Sequence, residues 1–294
     1  MISVLIPTYN YNVYPLVREM HKQLSKTGIA FEIRVYDDAS TQNFELEPLL
    51  TEFPEIVFKK NTQNLGRLAT RYRLAQEAHY DWLLFMDADV FPKDRFFAAK
   101  LIKAMEQHQA EVYFGGITVP PNPPASDKIL RWKYGKYREN QALSERLNKP
   151  YRSLLCGTLV IKKNIFLKEA KDMLPIKKYG LDVLFSYRLQ QNRNIIHHFN
   201  NPVTHLGLET NDEFIQKTEE ALQTFKFLIV NKLLDKDYAQ VTAKAYQIKK
   251  FCSKVLCGFV FKITAPLLKR HLLSNNPSLK LFDIYKLLYF SQLK

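Results

Sequence analysis

Two aspartates one residue apart, Asp87 and Asp89, are the side chains of this sequence best placed to do chemistry. They follow the apolar run 82–86, which predicts a buried strand. Carboxylates at i and i+2 of one strand point the same way. Just beyond a strand's carboxyl end, where open α/β sheets bind ligands, such a pair can hold a hard divalent cation against phosphate oxygens. The alternative is a solvated turn, in which aspartate is common.

Polar segments follow the neighbouring predicted strands in the same way. The strands are predicted at 3–6, 31–36 and 55–58, and the residues that follow them are Pro7, Thr8, Tyr9 and Asn10, then Asp37, Asp38, Ala39 and Ser40, then Asn64, Gly66 and Arg71. Because the carboxyl ends of parallel strands meet at one edge of a sheet, a single crevice can collect all of these segments.

The elements that must position these residues alternate along the first third of the chain. Strands are predicted at 3–6, 31–36, 55–58, 82–86, 112–115, 154–161, 195–199 and 203–206, and helices at 14–25, 44–51, 67–78, 94–107 and 181–190. Such alternation predicts βαβ units and a parallel sheet. A ragged helical pattern covers 128–147, and a mainly helical tail is predicted from 211 onward.

Composition excludes several classes of protein. Hydrophobic residues make up 46% of the 294 positions and aromatic residues 13%, which is enough for a sizeable core and unlike a disordered chain. Cys156, Cys252 and Cys257 form neither a disulfide framework nor a zinc knuckle, which favours a reduced, cytosolic chain. The first seven residues lack the basic region of a signal peptide and predict a first strand.

The net charge of +14 is concentrated in the tail. From Ala221 onward, thirteen lysines and arginines stand against three aspartates, a net charge of +10. The apolar runs 255–261 and 263–268 are split by Lys262, and neither reaches the roughly 18 to 20 residues of a membrane-spanning helix. This pattern predicts an interfacial anchor on an anionic membrane surface. The alternative is that the basic helices only pack on the rest of the chain.

Four motifs in fixed order resemble the family 2 glycosyltransferases. They are V-L-I-P-T-Y-N from Val4, D-D-A-S from Asp37, N-x-G-x-x-x-x-R from Asn64 and D-A-D from Asp87. The resemblance covers Ser3 to about Leu208 and implies the GT-A fold, an α/β fold whose Rossmann-like, mixed, mainly parallel sheet is flanked by helices. It predicts a GT-A domain at 1–210 and a mainly helical, basic extension at 211–294.

The resemblance implies donor-binding roles for residues at the strand ends, namely Pro7, Thr8, Tyr9, Asp38, Asn64, Gly66, Arg71, Asp87 and Gly157. A carboxylate such as Asp38 accepts hydrogen bonds from a uracil imide or from ribose hydroxyls. Turn capping is the alternative for Asp37 and Asp38. Arg71 matches the family's arginine near the nucleotide, where a guanidinium forks onto phosphate oxygens. Gly157 can bring backbone close to the donor sugar, or it can mark a simple β-bulge.

The resemblance also implies a metal site for Mn²⁺ or Mg²⁺. It assigns Asp89 to the metal and Asp87 to recognition of the donor's sugar or ribose. The segment T-H-L-G, which contains His205, resembles the C-terminal histidine motif of GT-A enzymes and predicts a second metal ligand. A lone histidine at a strand end is otherwise structural, and that is the interpretation for His197 and His198.

The resemblance assigns the catalytic base to Asp182. The stretch 180–189 resembles the family's E-D motif and the helix after it, with Asp182 at the Asp position and Leu181 in place of the usual Glu. An inverting transfer needs a carboxylate to take the proton of the acceptor hydroxyl. Because Asp182 follows Gly180 at a predicted helix start, capping of backbone amides is the alternative.

The resemblance therefore implies an inverting glycosyltransferase of the bacterial cell-surface polysaccharide type. The expected donor is UDP-linked, and the expected acceptor is a hydroxyl of a growing glycan on a lipid carrier at the inner face of the cell membrane. Because of Leu181, an inactive sugar-nucleotide-binding or scaffold protein is the alternative. A phosphatase of the haloacid dehalogenase type normally has its D-x-D after the first strand, not the fourth. Nucleic-acid binding by the tail lacks a stacking-aromatic or helix-turn-helix signature.

Overall fold

The computed structural model describes residues 1–42, 44, 46–50, 53–152, 154, 157–248 and 253–293. Contacts within the chain divide it into two compact units. The first unit consists of Met1–Val119, Asn140–Lys177 and Arg188–Gly207, and the second consists of Pro120–Glu139, Lys178–Tyr187 and Leu208–Lys294. The boundary predicted at residue 210 stays a prediction.

The strands alternate with helices as the sequence predicts. In the described ranges the strands are β1 (Ile2–Thr8), β2 (Phe31–Asp37), β3 (Ile56–Lys60), β4 (Trp82–Met86), β5 (Val90–Pro92), β6 (Val112–Phe114), β7 (Ile117–Thr118), β8 (Thr158–Lys162), β9 (Ile196–His198) and β10 (Val203–His205). The helices are α1 (Tyr14–Leu24), α2 (Leu46–Leu50), α3 (Arg67–Glu77), α4 (Phe97–Gln107), α5 (Ile129–Tyr134), α6 (Leu143–Asn148), α7 (Lys163–Lys171), α8 (Asp182–Gln191), α9 (Asn211–Val230), α10 (Gln240–Ile248), α11 (Lys254–Leu272) and α12 (Leu279–Gln292).

Several predicted bounds change for local reasons. The helix predicted from 94 begins at Phe97, because the Asp94 side chain accepts a hydrogen bond from the backbone N–H of Phe96 at 2.8 Å and forms a turn first. The ragged pattern at 128–147 resolves into α5, a π-helical turn at Gly135–Glu139 and α6. The predictions at 45 and 51, and at 155 and 156, fall outside the described residues.

A mixed, mainly parallel sheet forms the centre of the first unit and confirms the predicted fold class. Its seven described strands run in the order β3-β2-β1-β4-β8-β6-β9, and only β8 is antiparallel to its neighbours. Strand β1 is buried along almost its whole length, as expected for a strand covered on both faces. Its parallel partners β2 and β4 flank it, so three carboxyl ends lie side by side at one edge.

A second, three-stranded sheet in the same unit has the order β5-β10-β7. Strand β5 begins one residue after Asp89 and pairs with β10 in antiparallel register, with Val90 opposite His205. The backbone N–H of Leu206 continues this ladder by donating to the carbonyl of Asp89 at 2.8 Å. The small sheet therefore delivers a histidine from late in the chain to the turn after β4.

Helices form most of the second unit, which confirms the predicted helical character of the tail. Its apolar core joins α5, α9, α11 and α12 through Leu130, Ile215, Leu272, Phe282 and Tyr285. The side chain of Asn211 at the start of α9 accepts a hydrogen bond from the Leu130 N–H at 2.8 Å. Among the described residues, no helix has both the length and the apolar character needed to cross a membrane.

A network of charged side chains in the first unit connects β2 to α3. Glu77 accepts hydrogen bonds from the Tyr36 hydroxyl, from Lys59 and from Arg73, and lies 3.5 Å from Arg34. Partial burial alone would raise the pKa of Glu77, but these donors outweigh burial and lower the pKa from its ordinary 4.5 to about 2. The ionised carboxylate therefore stabilises the folded state.

We expect the network to make stability depend on pH below about 4.5. A carboxylate with a depressed pKa contributes stability above its unfolded pKa, and that contribution is lost as the pH falls toward about 2. Glu77→Gln should be less stable near neutral pH and should lose less stability on acidification than the natural chain. Urea unfolding at a series of pH values measures both effects. The control is Glu106→Gln, at an exposed position of α4; an equal acid dependence in all three proteins would contradict the assignment.

Candidate active site

The carboxyl ends of β2, β1 and β4 bring the predicted site segments to one edge of the main sheet. In the β1–β2 register, Thr8 lies opposite Asp37, and the Asp38 N–H donates to the Thr8 carbonyl at 2.8 Å. Strand β4 ends at Met86, directly before Asp87. The convergence predicted from the sequence is therefore present for these three loops.

Asp87 is neutralised by an arginine from α3. The Arg71 Nη2 lies 2.5 Å from Asp87 Oδ1, and the Arg71 side chain is only 5% exposed. Burial would raise the pKa of Asp87, but the positive charges of Arg71 and Arg67 and the Arg71 hydrogen bond keep it below its ordinary value. Asp87 is consequently ionised and held in place at neutral pH.

Asp89 has a different neighbour, the imidazole of His205. The β5–β10 register places His205 Nε2 3.1 Å from Asp89 Oδ2, and both side chains are partly exposed. Burial, and then the negative charge of Asp89, raise the pKa of the Tyr11 phenol. A carboxylate and an imidazole thus share this corner of the site, and the charge of the carboxylate also acts on a tyrosine.

The two carboxylates are not oriented by the alternation of a strand. Strand β4 ends at Met86, and the Val90 N–H donates to the Asp87 carbonyl at 3.3 Å, so Asp87 and Asp89 lie in a turn. The premise that both project from one strand was therefore wrong. The turn instead directs one aspartate to Arg71 and the other to His205.

Two glycines leave room for the two carboxylates. A Cβ at Gly157 would lie 2.5 Å from Asp87 Oδ2, and one at Gly207 would lie 2.1 Å from Asp89 Oδ2. The Gly157 carbonyl also accepts a hydrogen bond from the Asp87 N–H at 2.9 Å. Gly157 therefore packs against the Asp87 side chain, where only a residue without a Cβ fits. The close approach of its backbone to a donor sugar stays a prediction.

Asp38 organises the loop that leads into α3. Its Oδ1 accepts hydrogen bonds from Asn61 Nδ2 and the Leu65 N–H, both at 2.8 Å, and its Oδ2 accepts from the Gly66 N–H at 2.9 Å. Gly66 has a φ of +85°, a conformation that glycine adopts readily, and α3 starts at the next residue. The carboxylate thus ties together two of the predicted donor-binding segments.

The turn after β2 is capped by Asp37 and pinned by Asn10. Asp37 Oδ1 accepts from the Ser40 N–H at 2.8 Å, which is the capping role that the sequence left open. Asn10 Oδ1 accepts from the backbone N–H groups of Thr41 and Gln42 at 2.8 and 3.0 Å. No role was predicted for Asn10. Its φ of +51° lies in the left-handed region, which asparagine adopts more readily than most residues.

The remaining predicted donor-binding residues differ in exposure. Tyr9 is 49% exposed and Asn64 is also exposed, so both side chains are available to a ligand. Thr8 is buried, and its hydroxyl donates to the Tyr11 carbonyl at 3.1 Å. Pro7 is partly buried at the end of β1.

Asp182 belongs to the second unit, where it is the first residue of α8. Gly180, two residues earlier, has a φ of +83°, and a Cβ there would lie 2.9 Å from the Cβ of Ala221. Leu181, which stands where the family usually has Glu, is buried. The structure thus starts a helix at Asp182, as the sequence predicted, and its role as a base stays a prediction.

Asp89 and His205 fit a divalent metal as one oxygen and one nitrogen ligand. They converge to 3.1 Å, and an oxygen-rich site with one imidazole suits Mn²⁺ as well as Mg²⁺. In the described part of the chain, no three His, Cys, Asp or Glu side chains are grouped to hold a metal. A cation at this pair would take its other ligands from a bound substrate or water, as metals that bind nucleotide phosphates do.

The chain matches one sequence family and resembles several solved structures. The sequence model of "Glycosyl transferase family 2" matches residues 3–164, more than half of the chain. An uncharacterized glycosyltransferase of Haemophilus influenzae is 26% identical over 170 residues, which are 57% of this chain and 55% of that protein. The matched region therefore spans only about half the length of this curated relative.

The structural likenesses show the fold. A mannosyltransferase of Pyrobaculum calidifontis, solved with GDP-Man and Mn²⁺, has a TM-score of 0.54 at 13% identity, covering 99% of this chain and 85% of that one. GalNAc-T7, solved with UDP, GalNAc and Mn²⁺, has a TM-score of 0.55 at 16% identity, covering 71% and 43%. TarS 1-349 of S. aureus, solved with UDP-GlcNAc, has a TM-score of 0.50 at 16% identity, covering 99% and 89%.

We expect Gly157 to be coupled to Asp87. In Gly157→Ala the new methyl group would meet the carboxylate, at a cost of about 1–3 kcal/mol of unfolding free energy. In an Asp87→Ala background the same change should cost little, because the Asp87 Cβ lies at an ordinary 3.6 Å from the added atom. Urea unfolding of the four proteins measures the coupling.

The matched control for this cycle is Gly258→Ala. A Cβ at Gly258 meets nothing within 4 Å, so this variant should not lose stability. Equal costs of Gly157→Ala in the two backgrounds would show that Gly157 is needed for another reason.

Proposed function

The chain belongs to glycosyl transferase family 2, and from this we propose that it is an inverting enzyme that transfers a sugar from a nucleotide donor to a hydroxyl acceptor. The observation that carries the proposal is the pairing of Asp89 with His205 at the sheet edge, next to the ionised Asp87. Family membership supports nucleotide-sugar transfer.

We assign metal binding to Asp89 and His205, with Mn²⁺ or Mg²⁺ as the cation. The mannosyltransferase of Pyrobaculum calidifontis and GalNAc-T7 were both solved with Mn²⁺, which supports the use of a divalent metal. When bound, such a cation neutralises negative charge on a departing diphosphate. The protein's part would be to offer that cation a carboxylate and an imidazole as ligands.

The donor is held by residues at the strand ends in this proposal. Asp87, fixed by Arg71, is available to sugar or ribose hydroxyls through its second oxygen, while Arg71 supplies positive charge nearby. The loop tied by Asp38 and the exposed ring of Tyr9 surround the nucleoside. A UDP-linked donor is our proposal, and the TarS and GalNAc-T7 complexes with uridine nucleotides support it.

Asp182 is our choice for the catalytic base, on the strength of its match to the family's E-D motif. It would take the proton from the acceptor hydroxyl while that oxygen attacks the anomeric carbon. The bond to the nucleoside diphosphate breaks at the same time, and the configuration at that carbon inverts. A buried leucine at 181 leaves Asp182 as the carboxylate of this motif.

We further propose that the acceptor is a growing cell-surface glycan on a lipid carrier and that the enzyme works in the cytoplasm at the inner face of the cell membrane. The net charge of +10 from Ala221 onward supports this location, because the cytoplasmic leaflet is anionic. A lipid-linked acceptor would be presented at that surface.

Donor binding should depend on the metal through Asp89. Asp89→Asn should weaken Mn²⁺-dependent UDP binding by about tenfold or more, because the amide is a poorer ligand for a hard cation. Calorimetry with and without a chelator measures the metal-dependent part, and the chelator should make the two proteins alike. Asp81→Asn, an exposed aspartate just before β4, is the control. Unchanged affinity in Asp89→Asn under both conditions would count against the metal site.

Transfer should depend on the carboxylate of Asp182. Asp182→Asn should lower the transfer rate on the order of 10²- to 10⁴-fold, because an amide cannot accept the acceptor's proton. Stability should barely change, since asparagine caps a helix nearly as well as aspartate. Sugar transfer and UDP affinity, measured on the same variant, separate loss of the base from loss of donor binding.

The control for this variant is Asp212→Asn, which changes another aspartate in the first turn of a helix. Near-normal transfer by Asp182→Asn would leave Asp182 as a cap. The alternative of an inactive sugar-nucleotide-binding protein predicts a different result for the natural chain. Such a protein would bind UDP-sugar but release no UDP, even by slow hydrolysis without acceptor.

A further inference from the structure

Helix α11 is apolar on two opposite faces. The inner face is formed by Cys257, Phe261, Ala265, Leu268 and Leu272, of which Phe261, Ala265 and Leu268 pack against the core of the second unit. A surface helix normally has one apolar stripe and a polar opposite face. In α11 the opposite face is apolar as well.

The outer face carries large exposed side chains at intervals of four residues. Val255 is 83% exposed, Phe259 61%, Ile263 56% and Leu267 70%. Residues four apart lie above one another on a helix, so these four form one stripe about 18 Å long. Leu256 widens the stripe and is also exposed. A contiguous apolar surface of this kind marks an interaction site.

The charge of the helix limits the kind of partner. Helix α11 contains no aspartate or glutamate. It has two exposed basic side chains near the stripe: Lys262 lies at its edge, and Arg270 lies beyond Leu267 on the same face. Two copies of this face would bring like charges together in a tail that already carries +10. An anionic surface would instead attract both side chains, whose long stems can follow the apolar stripe while their charges reach phosphate groups.

We propose that the outer face of α11 docks into the headgroup region of an anionic phospholipid bilayer. Val255, Phe259, Ile263 and Leu267 enter the boundary with the acyl chains, and Lys262 and Arg270 bind lipid phosphates. The helix then lies in the plane of the membrane, because its opposite face is packed against the core of the second unit. This inference rests on the proposed membrane location and is independent of the transfer chemistry.

Vesicle binding of the full chain tests the proposal. Phe259→Ser/Ile263→Ser should weaken sedimentation with phosphatidylcholine–phosphatidylglycerol vesicles by about tenfold or more, because two apolar side chains no longer leave water. Lys262→Gln/Arg270→Gln should weaken it by a similar factor on these vesicles and have no effect on pure phosphatidylcholine. When anionic vesicles are added, the tryptophan fluorescence of Phe259→Trp should shift to shorter wavelength relative to that of the natural chain. Without anionic vesicles this shift should be absent.

The control is Val230→Ser/Leu147→Ser, which removes two exposed apolar side chains outside α11. It should bind vesicles like the natural chain. Equal vesicle binding by the Phe259/Ile263 variant would overturn the proposal. So would a concentration-dependent dimer that this variant abolishes, since the face would then join two copies. Release of UDP from UDP-sugar without vesicles should be the same in all variants, so a failed transferase assay leaves the membrane result intact.

Discussion

The site depends on separate partners for two carboxylates that lie two residues apart on one turn. Asp87 and Asp89 would repel each other if both were ionised without partners, and each instead faces a different basic side chain. Arg71 comes from α3, and His205 comes from the last strand of the small sheet. The turn after β4 is therefore the point on which a helix and a second sheet must both converge.

This arrangement explains the close packing around the turn. Backbone approaches the two carboxylates at Gly157 and Gly207, where a side chain would occupy the positions of the oxygens. Arg71 is nearly buried, and that is acceptable only because Asp87 compensates its charge. Asp89 instead contacts the imidazole of His205 at 3.1 Å. The more exposed pair is thus the one that can exchange its internal contact for a metal, while the Asp87–Arg71 pair keeps its geometry.

Local pattern predicted much of this structure, and long-range pairing explains the remainder. The strand at 82–86 and the helices that begin at Tyr14 and Arg67 were found because periodicity and turn residues act locally. Strands β5 and β7 were not predicted. They have three and two residues, which is too short for a sequence pattern, and they form by pairing with β10. The contact of His205 with Asp89 needed the family resemblance, since 116 residues separate them. The loop-holding roles of Asp38 and Asn10 depend on backbone donors that no spacing reveals.

The core of the second unit is assembled from distant parts of the chain. Leu130 packs with Leu272 and Phe282, and Lys133 donates to the Pro277 carbonyl at 3.0 Å. Bringing Leu130 to Leu272 closes a loop of more than 100 residues, which costs chain entropy. The packing of the whole cluster offsets that cost. The segment at 129–134 can therefore complete its packing only with help from α11 and α12, which lie more than 100 residues later in the chain. A truncation that removes α12 would consequently uncover apolar side chains as far back as Leu130, although more than 100 residues separate the two in sequence.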